Sequence, residues 1–118
     1  MKLYTVQMSS WRKASNIGVP FLDITVKSGD KQFAPEWGFL MEYKNNQDEK
    51  AYTEKFIPLM RNNFNNNRQY WLDLLSKDSL AIGCYCSKGK FCHRILLVDI
   101  FQKICEYYQI EFEYIGEL

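Results

Sequence analysis

The run Ser79–Cys86, SLAIGCYC, most constrains the fold. It is small and apolar at nearly every position and is bounded by polar residues. A strand with one wet face alternates apolar and polar side chains; this run does not, which predicts a central strand covered on both faces. The longest helical pattern follows directly, roughly Phe91 to Tyr108. Its polar positions Asp99, Gln102, Lys103 and Glu106 fall on one side, and Ile95, Leu97, Val98, Phe101 and Ile104 cover the rest.

The remaining elements fit the same plan. Lys2–Val6 reads as a first strand ending at Gln7, and Lys13–Asn16 as a turn of helix closed by Gly18. Phe21–Lys27 reads as a second strand, with β-branched Ile24, Thr25 and Val26. Leu22, Ile24 and Val26 would share one face, and Asp23, Thr25 and Lys27 the other. Ser28–Asp30 reads as a turn and Phe33–Trp37 as an irregular aromatic segment pinned by Pro35. Asp48 or Glu49 caps a helix running to about Phe64, in which Pro58 predicts a kink or two shorter helices. The asparagine-rich Asn62–Asn67 reads as a turn, Arg68–Ser76 as a helix with the stripe Tyr70, Trp71, Leu74 and Leu75, and Glu111–Ile115 as a final edge strand. Strands alternating with helices predict an α/β layered domain with a mostly parallel sheet. No repeat or disordered linker interrupts residues 1–118, so one domain is expected.

Charge narrows the choice of partner. Fifteen Lys and Arg against 14 Asp and Glu give a net charge of +1, so no global field draws the chain to a nucleic-acid polymer or an anionic membrane. No stretch approaches the ~18–20 apolar residues of a membrane helix. The opening MKLYTVQMSSWRK has too short an apolar run for a signal peptide and no small-residue cleavage site. Three of the four cysteines lie within nine positions. Without an export signal this favours reduced thiols in the cytoplasm over a disulfide framework. No apolar spacing picks out a dimer helix.

Ligands of parallel α/β sheets bind beyond the carboxyl ends of the strands. Three segments would meet there: the loop after strand one (Ser9, Trp11, Arg12), the loop after strand two (Lys27, Ser28) and Cys86–Arg94. The last is the richest. No acidic residue occurs from Ser79 to Val98, whereas Lys88, Lys90, His93 and Arg94 fall within seven positions. Gly89 lets the loop bend, and the helix start offers unpaired N–H groups, a cradle for phosphate or carboxylate. Arg94, beside Ile95 and Leu96 in the first helical turn, requires an anionic partner if buried.

The thiols admit several readings. Cys92 and Cys86 are candidate nucleophiles, activated by the helix start and nearby cations. Cys84 reads as a core residue on the same strand face as Cys86, and Cys105 as structural. His93 is the single histidine and a candidate general base, ligand donor or helix cap. The set C-x-C-x5-C-H offers four zinc ligands, but not at knuckle spacing, and adjacent helical Cys92 and His93 would diverge by about 100°. No metal and no cofactor is therefore assigned. Phe33, Trp37 and Trp11 read as a lid on the core or as platforms for a ring.

The string C-Y-C-x4-F-C-H-R before an apolar helix resembles the family known as domain of unknown function 488, with its short bacterial and bacteriophage members. Asp23–Gly29, DITVKSG, and Phe33–Trp37 are similar to the same short subgroup. The resemblance implies a compact Rossmann-like α/β domain whose characteristic residues are Cys86, Cys92, His93 and Arg94, with Lys27 and Ser28 as companions.

These observations set the functional expectation. It is a small anionic ligand, a phosphorylated nucleoside or nucleotide type, bound by Arg94, Lys88, Lys90, Lys27, Ser28, Trp11, Arg12 and Trp37. Cys86, Cys92 and His93 are the candidate catalytic groups for glycosidic-bond or phosphate hydrolysis. The alternatives are a non-catalytic protein that sequesters a nucleotide and a zinc-stabilised interaction module.

Overall fold

The inner position of the sheet goes to β3 (Ser79–Cys84), in which every residue after Ser79 is buried. The computed structural model describes residues 1–86 and 91–118. β1 (Lys2–Gln7) and β2 (Phe21–Asp23) flank β3, and β4 (Glu113–Glu117) closes the edge beyond β1. The order is β2-β3-β1-β4 and each neighbouring pair is parallel. This is a small α/β layered domain, and its sheet is parallel throughout rather than mostly so.

Alternation along β3 divides two cores. Leu80, Ile82 and Cys84 enter the larger one, with Leu3, Ile24, Phe33, Phe56, Met60, Trp71, Leu97 and Phe101. Each aliphatic side chain buried there contributes roughly 1.5–3 kcal/mol. Ala81 enters the smaller core with Val6, Ala14 and Val19, under α1 (Arg12–Asn16). Gly83 leaves room on this side for the Phe21 ring, which an added Cβ would strike. The run is small because the thin side of the sheet has little depth to fill.

The larger face is covered by α3 (Glu49–Asn66), α4 (Arg68–Leu75) and α5 (His93–Tyr107), with α2 (Trp37–Asn46) packed against α3. Asp48 caps α3, accepting from Ala51 N–H at 3.0 Å, and Tyr52, Phe56 and Met60 form its buried stripe. The expected division at Pro58 does not occur: α3 is continuous through it. Pro58 lies on the exposed side, so the Glu54 carbonyl it leaves unbonded can be hydrated. The asparagine run ends α3 rather than forming a separate turn, and the break falls at Asn67.

Two further expectations change. The sequence reading missed α2, whose one buried residue is Phe39 and whose last turn closes on left-handed Gln47 in place of glycine. β2 stops at Asp23, four residues short of Lys27. Asp23 ends it by accepting from Thr25 N–H at 2.8 Å and from the Ser28 hydroxyl at 2.6 Å, which curls the chain off the sheet. Gly29 packs against the backbone of Asp23 and Thr25, where any side chain would collide. Phe33 is a core residue, not a lid, packed on Trp71 and Phe101. No helix among the described residues is long and apolar enough to cross a membrane.

Candidate functional site

β3 delivers Cys84 to the carboxyl edge, and α5 begins against it with Cys92 as its cap, followed by His93 and Arg94. All four side chains are buried. Lys88 and Lys90 lie outside the described residues.

Arg94 is entirely withdrawn from solvent. Its Nη1 donates to Cys84 Sγ at 2.8 Å and to the Cys86 carbonyl at 3.0 Å, and its Nε donates to Glu117 Oε1 at 3.2 Å. The anionic partner that a buried arginine requires is thus supplied from within, by β4. Arg94 ties the ends of β3, α5 and β4 together and holds a charge against a sulfur; it does not stand open as a cradle.

His93 Nε2 lies 2.6 Å from the Ile24 carbonyl. A carbonyl only accepts, so Nε2 carries the proton, and in the neutral ring Nδ1 presents its lone pair. Burial pushes the His93 pKa down to about 4, against the Ile24 hydrogen bond, so the ring is neutral at physiological pH. Nδ1 faces Cys92 Sγ at 3.6 Å. The sulfurs of Cys92 and Cys84 are in direct contact, although the Cα atoms are 7.9 Å apart. That backbone separation exceeds the roughly 4.4–6.8 Å across which disulfides form. The two cysteine side chains are turned toward one another across a backbone gap too wide for a relaxed disulfide.

Divergence of Cys92 and His93 by about 100° requires both residues to be helical. Cys92 is extended, with φ −161° and ψ 153°, and α5 begins only at His93. The two side chains consequently turn to the same side. The donor atoms of Cys84, Cys92 and His93 all lie within 4.8 Å of one another.

A cavity of about 600 Å³ opens above this cluster, a volume suited to a small molecule. Cys84, Cys86 and His93 reach its floor, and Lys27, Lys44 and Trp37 stand around it. Half of the Trp37 surface (52%) is exposed. Burial raises the Cys86 thiol pKa, with the Arg94 charge opposing this, so Cys86 is held as the thiol.

The predicted residues therefore divide. Lys27, Trp37, Cys86 and His93 meet at one cavity, with Cys92 and Arg94 immediately behind it. Ser28 is spent on Asp23 and Thr25 and shapes the loop without lining the cavity. Trp11 packs on Phe21 with ring centroids 6.3 Å apart, Arg12 covers Trp11 at 4.8 Å, and neither lines it.

Three contributions escaped the sequence reading. Cys84 is the core residue its strand position predicts, and it also lines the cavity because β3 ends there and not at Cys86. Lys44 sits on the helix that was missed. Glu117 meets Arg94 from 23 residues away, and no local pattern signals that pairing.

A family model described as DUF488-N3a, active DUF488-N3 subclade, matches residues 21–104. The match takes in the Asp23–Gly29 loop and the Cys84–Arg94 cluster, and leaves out β1 and β4. No curated protein and no solved structure matches the chain.

Proposed function

The chain belongs to the DUF488 family, and on that premise we propose that its carboxyl-edge cavity binds a phosphorylated nucleoside-type molecule and acts on it as a hydrolase. One observation carries the proposal: a single cavity combines a half-exposed indole, two lysine amines and a buried thiol–imidazole floor. Lys27 and Lys44 supply charge for a phosphate, and Trp37 a flat apolar face for a base. Neutral His93 with a bare Nδ1 is equipped to take a proton, and glycosidic-bond or phosphate hydrolysis both need that step. The subclade description as active favours turnover over mere sequestration. A reducing cytoplasm is the setting that keeps these thiols available.

The test is calorimetric titration of the purified chain with nucleoside mono- and diphosphates, followed by chromatography of the incubated mixture. Binding with release of base or phosphate is expected. Tight binding with intact ligand recovered would favour the sequestering alternative. A Lys27→Ala/Lys44→Ala variant should lose at least about ten-fold in affinity, since each contact to a charged group is worth roughly 1.5–3 kcal/mol. Unchanged affinity in a folded double variant overturns the assignment.

A further inference from the structure

We propose that Cys84, Cys92 and His93 form a three-ligand site for a single zinc ion, with the fourth coordination position opening into the cavity. The donors are two thiol sulfurs and one imidazole nitrogen, grouped within 4.8 Å and buried. Two sulfurs with one nitrogen is a soft set that suits zinc, and three protein ligands with one open position is the pattern of catalytic zinc.

Three features of the surroundings, together with the charge balance, favour an ion over bare thiols. The sulfurs face each other from Cα atoms 7.9 Å apart, too wide for the two cysteines to be joined directly. An ion bound by both, with bonds of about 2.3 Å at a tetrahedral angle, would set the sulfurs roughly 3.8 Å apart. The His93 ring is anchored through Nε2–H on the Ile24 carbonyl, leaving Nδ1 aimed at the sulfurs. Metal-bound histidines are ordinarily held in this way. Arg94 donates to Cys84 Sγ, as befits a thiolate, while Glu117 offsets the guanidinium charge. Finally, a zinc ion with two thiolates is neutral, so the buried cluster carries no net charge once the ion is bound. Binding releases two protons, one from each thiol.

Cys84 and His93 reach the cavity, whereas Cys92 lies behind them. The open position thereby faces the bound molecule, and a zinc-held water there would be the hydrolytic nucleophile. With zinc on Nδ1, the ion takes over from the imidazole the task of activating water, and only this last step rests on the proposed hydrolase reading. The metal site itself does not.

The experiment is elemental analysis of the full chain purified under reductant without added metal, followed by chelator stripping and titration with cobalt(II). The expected results are roughly one equivalent of zinc and, after stripping, the visible spectrum of tetrahedral thiolate-bound cobalt. Cys84→Ser, Cys92→Ser and His93→Asn should each lose that spectrum, and Cys86→Ala and Cys105→Ala should keep it. If a ligand variant fails to fold, thiol counting on the wild type decides: zinc should shield two thiols from a thiol reagent, and the chelator should expose them. A folded wild-type chain that takes up neither metal, or uptake unchanged in a folded Cys84→Ser/Cys92→Ser variant, overturns the site. The Lys27→Ala/Lys44→Ala variant should keep full zinc, so loss of nucleotide binding and loss of metal are read separately.

Discussion

Arg94 Nε and Glu117 Oε1 stand 3.2 Å apart, with the arginine side chain 1% exposed and the glutamate 12%. The pair joins the first turn of α5 to the edge strand β4, so the last residues of the chain are structural members of the site. Removing one partner leaves the other charge buried, which costs about 3–5 kcal/mol, whereas an apolar replacement of both is far milder. We expect Glu117→Ala to lower stability by about that much in urea unfolding. The paired replacement Arg94→Met/Glu117→Leu should cost less than the sum of the single changes. Additivity of the two would mean that the charges do not act as a pair.

The Asp23 carboxylate has a second, local role. Burial raises its pKa, but the Ser28 hydroxyl and the Thr25 N–H hold it below the ordinary carboxylate value of 3.8. A depressed folded-state pKa means stability that is present above the unfolded value and lost as pH falls through the folded one. Ser28→Ala should therefore destabilise by about 1 kcal/mol at neutral pH, since the carboxylate is only partly screened from water. As pH falls below 3.8 and Asp23 takes up its proton, the difference should shrink. A difference that stays constant between pH 7 and pH 2 would show that the hydroxyl does not act through the ionised carboxylate.

How far the sequence reveals this site depends on the range of each interaction. That a buried strand runs into the helix α5 follows from hydrophobic pattern alone, which spans a few residues and is written locally; that β3 ends at Cys84 does not. β2 was misread because alternation through Lys27 looks like strand, while Asp23 and Ser28, five residues apart, divert the backbone through side-chain hydrogen bonds that propensity does not register. The contacts of Cys84 and Arg94 escape local pattern for a related reason. Their partners, Cys92 and Glu117, come from other elements, and only the folded chain tells which sulfur meets which nitrogen. Cys92 and His93 turn to one side because of a single dihedral pair, that of Cys92, which sits outside the helix it caps.

Pro58 illustrates the same limit from the other side. A proline in a helix interior costs roughly 3 kcal/mol relative to alanine, yet α3 runs on through it. That cost is borne on the exposed side, while Phe56 and Met60 hold the helix to the core. Pro58→Ala should raise stability by about 1–3 kcal/mol in thermal or urea unfolding, with no effect on ligand binding. A neutral or destabilising result would mean that the ring itself makes contacts the helix depends on.

Trp37 provides the most direct test of ligand class. Its ring is 52% exposed at the cavity wall and is therefore nearly dispensable for folding. A base stacked on an aromatic ring contributes roughly 1–3 kcal/mol, about five-fold to a hundred-fold in affinity. Trp37→Ala should weaken a nucleoside phosphate by that factor, Trp37→Phe should restore part of it, and neither should shift the unfolding midpoint appreciably. Inorganic pyrophosphate, which has no ring to stack, should bind both variants as it binds the wild type. Equal weakening of pyrophosphate and nucleotide would mean that Trp37 shapes the cavity without touching a base, and the nucleoside part of the proposal would fall while an anion site at Lys27 and Lys44 remained.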